Sequence, residues 1–586
     1  MTTFRSLAGL PSHTGRPWRR KAASSPNASS SNDIVHRFLA TRGLSDLPEV
    51  ESYLGYSLSN MIDPASMPDA TLAADRILAA IASGERVTVY GDYDVDGVTS
   101  SALLALAFRS MFNFEIDVYI PHRLKEGYGL NEGAIKHIAE QGSTLMITVD
   151  NGSSAQKEIA LARTLDLDVI IVDHHQVSDP EPEAYAHLNP HRKSSGYEFK
   201  GLAAVGIAFM LLVQVRRRAR EQKFAPLGNH RIDQFLDLVA LGTVADVAPL
   251  VDINRALVRY GLKCIQASPR IGIDALCRVS GVEPEAINEG DLGFKLGPRV
   301  NAAGRLENAS DGFVLLTETS MDRAQQKAQV IDAQNAQRRV IQAQIEEEAL
   351  EQAERQMKGE PDILILHGDE WHPGVVGIVA SRIVETYQKP VFCLALDGNI
   401  WKGSGRSIPG VNLKSLLDEC APVLLRYGGH VAAAGVTLSQ AALSEFKSLA
   451  QNAVAHVRDD SVQSIRYVDV DLEIGLDELT FELMASMERA GPFGHENPAP
   501  RFLLKGVQGK TRLLKGDHLK IQHLEGGAPY LEAIGWGMGA CEGLCQSPID
   551  LVCTARVESW RGRRRLTLTI VDLRASEGLE EHHASR

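Results

Sequence analysis

The 586-residue sequence has no apolar run long enough to cross a bilayer. Its longest, GLAAVGIAFMLLVQV (Gly201–Val215), stops short of the roughly 20 residues a spanning helix needs. A buried helix is expected there, and no membrane partner. Cysteine is scarce too: seven residues, odd in number and scattered, point away from a disulfide framework and toward reduced thiols in a cytoplasmic protein. Cys541, Cys545 and Cys553 lack a fourth ligand at zinc-finger spacing, which argues against structural zinc. An excess of positive charge is also missing. With a formal net charge of −13, a polyanion has to be met by local basic patches or by metal ions. Finally, the first 32 residues contain no acid and are rich in Ser, Arg and Pro. That bias resembles a transit peptide, but no amphipathic helical period accompanies it, so residues 1–50 are expected to form a tail, disordered in part.

What is present is ordinary in bulk and informative in order. Hydrophobic content of 44 % and charged content of 23 % suit a folded protein, and the length allows three or four domains. From Arg86 onward, short β-branched runs (RVTVYG, FEIDVYI, TLMITV, LDVIIV) alternate with helical stretches, which predicts a doubly wound parallel α/β domain over residues 51–320. Residues 321–360 carry no proline and abundant Ala, Gln, Glu and Arg, and predict a long connecting helix rather than a coiled coil. A second, smaller α/β domain is expected over 361–460. Short strands with glycine turns predict an OB-type β-barrel over 461–575, followed by a tail over 576–586.

Acids collect where the predicted strands end. GDYDVDG places Asp92, Asp94 and Asp96 after the first strand, VDNGSS places Asp150 after the third, and VDHHQ places Asp173, His174 and His175 after the fourth. In an open parallel sheet, ligands bind in the crevice beyond the carboxyl ends of the strands, so these side chains converge on one rim. GTVADVAPL adds Asp246. Burying that much negative charge without cations is prohibitive. Carboxylates mixed with imidazole suit Mn²⁺ or Mg²⁺, and there are enough of them for two divalent metal ions bridged by a carboxylate. The competing reading, a solvated acidic turn, accounts for one such stretch but not for four at one rim.

GDYDVDGVTS, VDNGSS, VDHHQ and GTVADVAPL resemble the four motifs of the DHH phosphoesterase superfamily. Later blocks (GFKLGPRVNAAGRLENA, WHPGVVGIVASRI, GSGRSIPGVNL, YGGHVAAAG, GPFGHENPAPRF) extend the resemblance from about Val50 to Leu573, to the branch that degrades single-stranded DNA. The resemblance implies Asp94, Asp96, Asp150, His174 and Asp246 as metal ligands, with Asp92 on the outer ion. It implies His175 as the group that binds the scissile phosphate or protonates the leaving oxygen, and Asp173 as a carboxylate that orients an imidazole. For Asp92 and Asp173, a backbone-capping carboxylate is the competing reading.

Phosphate binding is expected from Arg299, Asn301 and Arg305 in LGPRVNAAGRLENA, although an Arg in a loop is commonly only a surface ion pair. The second α/β domain resembles the DHHA1 domain, which implies a pocket for a terminal 5′-phosphate at Ser404, Arg406, Gly429 and His430. Arg123 and Tyr128 in IPHRLKEGYGL are expected near the rim, for a phosphate and a base respectively. Between Ala499 and Ala575 there are 12 basic residues against seven acidic, the reverse of the whole chain. Lys510, Arg512, Lys515, Trp560 and Arg563 are therefore expected to bind a single strand on the barrel.

The expected activity is a metal-dependent 5′-to-3′ exonuclease on single-stranded DNA that releases 5′-mononucleotides. A channel between the two α/β domains would exclude duplex. The resemblance further implies a monomer with a RecQ-type helicase and a single-strand-binding protein as partners. Enzymes for small nucleotides need only the two α/β domains, and a non-catalytic scaffold would have been free to lose the acids. Both fit this sequence less well.

Overall fold

The structure is a computed structural model that describes every residue except 1–3, 8–10, 23–32, 124–125, 226–230, 307–308, 460–461, 463–465, 561–562 and 577–586. It divides into two compact units. One comprises Met1–Ile62, Pro249–Arg259 and Ile465–Arg586; the other comprises Asp63–Ala248 and Tyr260–Ser464.

The described residues of the expected N-terminal tail are structured. Strands β1 (Phe4–Leu7) and β2 (Trp18–Lys21) pair antiparallel, and helices α1 (Ile34–Ala40) and α2 (Leu47–Gly55) follow. Trp18 is buried; its indole N–H donates to Asp572 at 2.8 Å and the Arg574 guanidinium lies 4.2 Å over its ring. A buried indole with a satisfied N–H is a strong anchor. The missing acids also acquire a reason, since Arg19 and Lys21 pair with Asp469 and Asp471 from far along the chain. A segment whose partners lie some 450 residues away looks featureless when read alone.

In the second unit, β3 (Arg86–Tyr90), β4 (Asp117–Tyr119), β5 (Ser143–Val149), β6 (Asp168–Val172) and β7 (Ala186–Leu188) form an all-parallel sheet in the order β4-β3-β5-β6-β7. Helices α3 (Val95–Phe112), α4 (Glu132–Glu140) and α5 (Gln156–Thr164) make the crossovers. The chain leaves β3 toward β4 and returns on its other side to β5, so the topological switch point lies between β3 and β5. Helix α3 packs against both α6 (Ala204–Glu221) and α7 (Leu236–Ala245), and is consequently buried on nearly every face. A π-helical turn, Leu292–Leu296, runs into α8 (Gly297–Leu306).

The predicted connector is α9 (Met321–Met357), a 37-residue helix whose buried stripe is chiefly alanine and isoleucine. The sheet that follows holds β8 (Leu364–Gly368), β9 (Val391–Asp397), β10 (Ile400–Arg406), β11 (Arg426–Gly429) and β12 (Ala433–Ser439) in the order β11-β12-β10-β9-β8, with α10 (Val376–Tyr387) packed on β9 and β10.

In the first unit, β13 (Val468–Val470) joins β2 in parallel. Strands β14 (Leu472–Glu473), β15 (Phe502–Val507), β16 (Lys510–Leu514), β17 (His518–Gln522), β18 (Leu531–Gly535), β19 (Ile549–Trp560) and β20 (Arg563–Ala575) form one sheet in the order β14-β15-β19-β20-β18-β17-β16. The order is open, with β14 and β16 at its ends. Only Gln508 and Gly509 separate β15 from β16, so one bent stretch of chain serves β19 with its first half and β17 with its second. That arrangement, with β18 parallel to β20, is of the OB type.

Candidate metal centre and phosphate-binding side chains

The loop after β3 is folded tightly because Gly97 lets it be. A Cβ at Gly97 would lie 2.5 Å from the Asp92 nitrogen. Asp94 caps α3, accepting the N–H groups of Asp96 at 2.9 Å and Gly97 at 3.2 Å. Asp96, fully buried, accepts the N–H groups of Ala204 (2.6 Å) and Val205 (2.8 Å) at the start of α6, where the helix end favours an anion. Asp150 follows β5 with φ of 65°, a conformation Asp tolerates better than most residues. Asp246 caps the C-terminal end of α7.

These carboxylates meet the two histidines. His174 Nε2 stands 3.2 Å from Asp150 Oδ1 and 3.9 Å from Asp96 Oδ2, and its Nδ1 is 3.8 Å from Asp246 Oδ2. Three groups have ligand atoms mutually within 4.8 Å: Asp92–Asp94–Asp150, Asp96–His174–Asp246 and Asp150–His174–His175. Asp92 Oδ1, Asp150 Oδ1 and His174 Nε2 are buried with no hydrogen-bond partner among the described residues. Native proteins rarely leave such atoms unsatisfied. Burial, then the charge of Asp94, pushes the Asp92 and Asp150 carboxyls well above the usual range and Asp96 up to about 7. Burial, Asp96 and Asp94 push Asp246 up to about 9. Orphaned, mutually repelling oxygens beside an imidazole are the donor set that a pair of hard divalent cations fits.

The adjacent histidines are driven apart. Burial and the charge of its neighbour push His174 down to about 4, which keeps it neutral as a ligand must be. For His175, burial is outweighed by Asp173, which accepts its Nδ1–H at 2.8 Å and raises it to about 9. Asp173 also accepts the N–H groups of Ser153, His174 and His175, and despite its burial these contacts hold it well below the usual carboxylate range. Tyr128, expected to stack on a base, brings its hydroxyl to 3.2 Å from His175 Nδ1 and donates to the Asp150 carbonyl. Asn189, not singled out from the sequence, is fully buried and donates to the His175 carbonyl and to Ser153 Oγ. An Asn after a short strand carries no signal of that role.

Beyond the acids lies a group of arginines. Arg305 on α8 donates to the Gly374 carbonyl at 3.0 Å, and burial with the charges of Arg123 and Arg338 pushes it down to about 9. Arg406 on β10 donates to Ser404 Oγ at 2.9 Å and is lowered by burial and by Arg123. Arg123 lies 4.7 Å over the Tyr93 ring. Among the described residues, no carboxylate forms an ion pair with Arg305 or Arg406. Arg299 behaves differently: it is taken by Asp332 at 2.9 Å and by the Lys295 carbonyl, so its charge ties α8 to α9. Asn301 is half-buried on α8. Gly429 (φ 143°) and His430 are exposed at the end of edge strand β11. Arg338 on α9, and Gly377 on α10, where a Cβ would come within 3.0 Å of Ser404 Oγ, were not singled out from the sequence; the connector around Arg338 reads as generic helix.

On the OB-type sheet, Lys510, Arg512 and Lys515 are exposed. Cross-strand register puts Arg512 opposite Lys520, and Lys520 opposite Ile534. The side chains of Trp560 and Arg563 lie outside the described residues. Trp536 was overlooked: it is 58 % exposed and meets His518 edge-on at 4.9 Å.

The chain matches the DHH family N-terminal domain over residues 86–243, the DHHA1 domain over 360–456 and the RecJ OB domain over 470–572. It is 37 % identical over 575 residues to the single-stranded-DNA-specific exonuclease RecJ of Dickeya dadantii, covering 95 % of this chain and 98 % of that one. This chain belongs to the RecJ family. The RecJ of Bacillus subtilis is 36 % identical over 569 residues, covering 96 % of this chain and 70 % of its own length. Among solved RecJ structures, the Mn²⁺ complex from Thermus thermophilus superposes with a TM-score of 0.79 at 28 % identity, covering 96 % of this chain and 80 % of that one. An exonuclease RecJ bound to manganese gives 0.59 at 32 % identity, covering 67 % of this chain and 96 % of that one.

Proposed function

We propose that the protein is a two-metal exonuclease that shortens single-stranded DNA from its 5′ end and releases 5′-mononucleotides. The observation that carries this reading is the buried set of ligand atoms on Asp92, Asp150 and His174 without a hydrogen-bond partner, together with Arg305 and Arg406, which have no carboxylate partner among the described residues. Asp94, Asp96, Asp150, His174 and Asp246, with Asp92, are the residues to hold two ions, Mn²⁺ or Mg²⁺. Such ions, when bound, supply Lewis-acid charge to a phosphoryl oxygen and lower the pKa of water.

The rest is done by the chain itself. Arg305, Arg406 and Ser404 take the terminal 5′-phosphate, with Arg123 beside them, and so set the register of the first phosphodiester over the acidic rim. In-line attack of water on phosphorus breaks the bond to the 3′ oxygen of the terminal nucleotide. His175, held protonated by Asp173, is placed to give that oxygen its proton. The shortened strand carries a new 5′-phosphate, the same group the arginines have just released, which favours successive cuts. The basic face of the OB-type sheet offers a second place to grip a single strand. A RecQ-type helicase to supply the strand, a single-strand-binding protein and a cytoplasmic site of action complete the proposal.

The test is 5′-phosphorylated single-stranded DNA labelled separately at each end, with Mn²⁺ or Mg²⁺ and an EDTA control, and with duplex and a cyclic dinucleotide as competitors. Metal-dependent release of mononucleotides from the 5′ end, absent in Asp94→Ala, is expected. Release from the 3′ end, or turnover of the cyclic dinucleotide alone, would overturn the reading.

A further inference from the structure

The π-helical turn and α8 carry an aromatic side chain that nothing in the proposed chemistry uses. Phe294 is 87 % exposed, the most exposed of the large hydrophobic side chains described. A single exposed apolar side chain is ordinary on a protein surface; the setting of this one is what distinguishes it. The turn is π-helical, a rare geometry that recurs at functional sites. Gly293 and Gly297 press this stretch against the end of α7: Cβ atoms there would stand 3.3 Å from Val244 Cγ1 and 3.2 Å from Ala245 Cβ. Asp246 is the next residue along that helix. At its other end, α8 brings Gly304 against the Tyr93 carbonyl, in the loop of Asp92 and Asp94, and carries Arg305.

One continuous helical stretch therefore runs from the Asp246 side of the acidic rim to its arginine side. Phe294, Pro298, Asn301 and Arg305, spaced four, three and four residues apart, fall along one face, and each is exposed or half-buried, while Leu292, Leu296 and Val300 are buried on another. At 1.5 Å per residue, Phe294 and Arg305 stand about 16 Å apart along the axis. That is a few nucleotides of extended strand.

We propose that Phe294 is a base-stacking residue on the downstream side of the acidic rim, taking a nucleobase a few positions from the terminal phosphate held by Arg305. This rests on the exonuclease reading. Every base offers a π-face, so the contact fixes the strand's path without selecting sequence. It would also make a substrate too short to reach the ring a poor one. The ring and the guanidinium, fixed on one helix, act as two ends of a gauge laid across the scissile bond.

Two readouts test this. In the first, Phe294→Ala is compared with wild type on a 5′-phosphorylated 20-mer and on a 5′-phosphorylated dinucleotide. Loss of one stacked base predicts a fall in kcat/KM of about ten- to a hundredfold on the 20-mer, carried mainly by KM, with the dinucleotide unchanged and Phe294→Tyr restoring the loss. An equal fall on both substrates would mean that the substitution disturbs the packing against α7, and would overturn stacking. No change on either would also overturn it, and would leave the ring as a contact for a protein partner. In the second, Phe294→Trp is titrated with a phosphorothioate 20-mer in EDTA, where no turnover is needed. Quenching in excess of that of the wild-type protein, whose own Trp536 is 58 % exposed, and absent with a 5′-phosphorylated dinucleotide, supports the proposal; quenching no greater than wild type's sinks it. Should wild type prove inactive on DNA, the exonuclease reading fails first, and the quenching experiment still decides what Phe294 binds.

Discussion

The acidic rim of the second unit and the basic face of the OB-type sheet are both dense in charge, yet they hold it in opposite ways. At the rim, Asp92, Asp96, Asp150 and Asp173 are all within 2 % of complete burial, and three of the site's ligand-type atoms have no hydrogen-bond partner among the described residues. On the sheet, Lys510, Arg512 and Lys515 are exposed, while Lys520 and Arg565 share Glu532 at 2.9 and 3.1 Å. Buried like charges store free energy that a bound cation, or failing that a bound proton, relieves. Exposed ones are solvated, screened by salt and individually weak. The rim is therefore built for chemistry at a cost in stability, and the sheet for adjustable grip at almost none.

The largest expected effect breaks that comparison open within the rim. Asp150→Asn removes a carboxylate that is repelled by Asp94, Asp96 and Asp92 and that has an orphaned oxygen. Activity should fall at least about a thousandfold, since it takes a ligand from the ions, yet the metal-free melting temperature should rise. Asp173→Asn should do the reverse to stability. That carboxylate accepts three backbone N–H groups and the His175 ring, so its loss should cost about 3 kcal/mol as well as activity. Calorimetry of both proteins in EDTA decides; a loss of stability for Asp150→Asn would mean that the rim is not strained.

The arginines rank next. Arg305→Ala and Arg406→Ala should each lower kcat/KM about ten- to a hundredfold on 5′-phosphorylated strands. The preference for a 5′-phosphate over a 5′-hydroxyl end should fall with it. Arg299→Ala, whose guanidinium is committed to Asp332, should leave that preference intact. An equal preference in all three variants would remove the terminal-phosphate pocket from the arginines.

Acidity sharpens the contrast further. Asp96 at about 7 and Asp246 at about 9 hold protons in the folded, metal-free protein that the unfolded chain would already have released. Folding stability from this source is full below the ordinary carboxylate range near pH 4, and is lost as the pH climbs through 7 to 9. The metal-free melting temperature should fall over that window. The increment given by Mn²⁺ or Mg²⁺ should grow, because ions bind the deprotonated carboxylates. Scans at pH 6 and pH 8.5 with and without metal check this, and an increment independent of pH would count against metal binding at these groups.

The rim was legible in the sequence because its chemistry is written locally: Asp92, Asp94 and Asp96 lie within five residues, and strand ends place the other stations. The parallel sheet was legible for the same reason, from short alternating runs. What escaped was long-range. Trp18 finds Asp572, Arg19 finds Asp469, and no local pattern announces either partnership. Arg299 and Arg305 are equivalent in composition, and only the helical phase of α8 sends one to α9 and the other to the rim. Trp536 carried no motif, whereas the Arg-rich stretch beside Trp560 drew attention through composition alone.

The smallest effect belongs to the sheet. Lys510→Ala with Arg512→Ala should weaken single-strand binding roughly uniformly across sequences. If each contacts one phosphate, the slope of log K against log salt should shrink by about 0.7 per residue. Trp536→Ala should weaken binding by about five- to tenfold with no change in that slope, because stacking releases no counterions. Trp536 also offers a fluorescence signal, since among the tryptophans whose side chains are described Trp18, Trp371 and Trp401 are buried and its own indole is open to a base. Activity on short strands should survive all of these substitutions, as the rim and its arginines lie in the other unit. Loss of turnover on a short strand in Trp536→Ala would tie the two regions together more closely than exposed charge and buried charge should be.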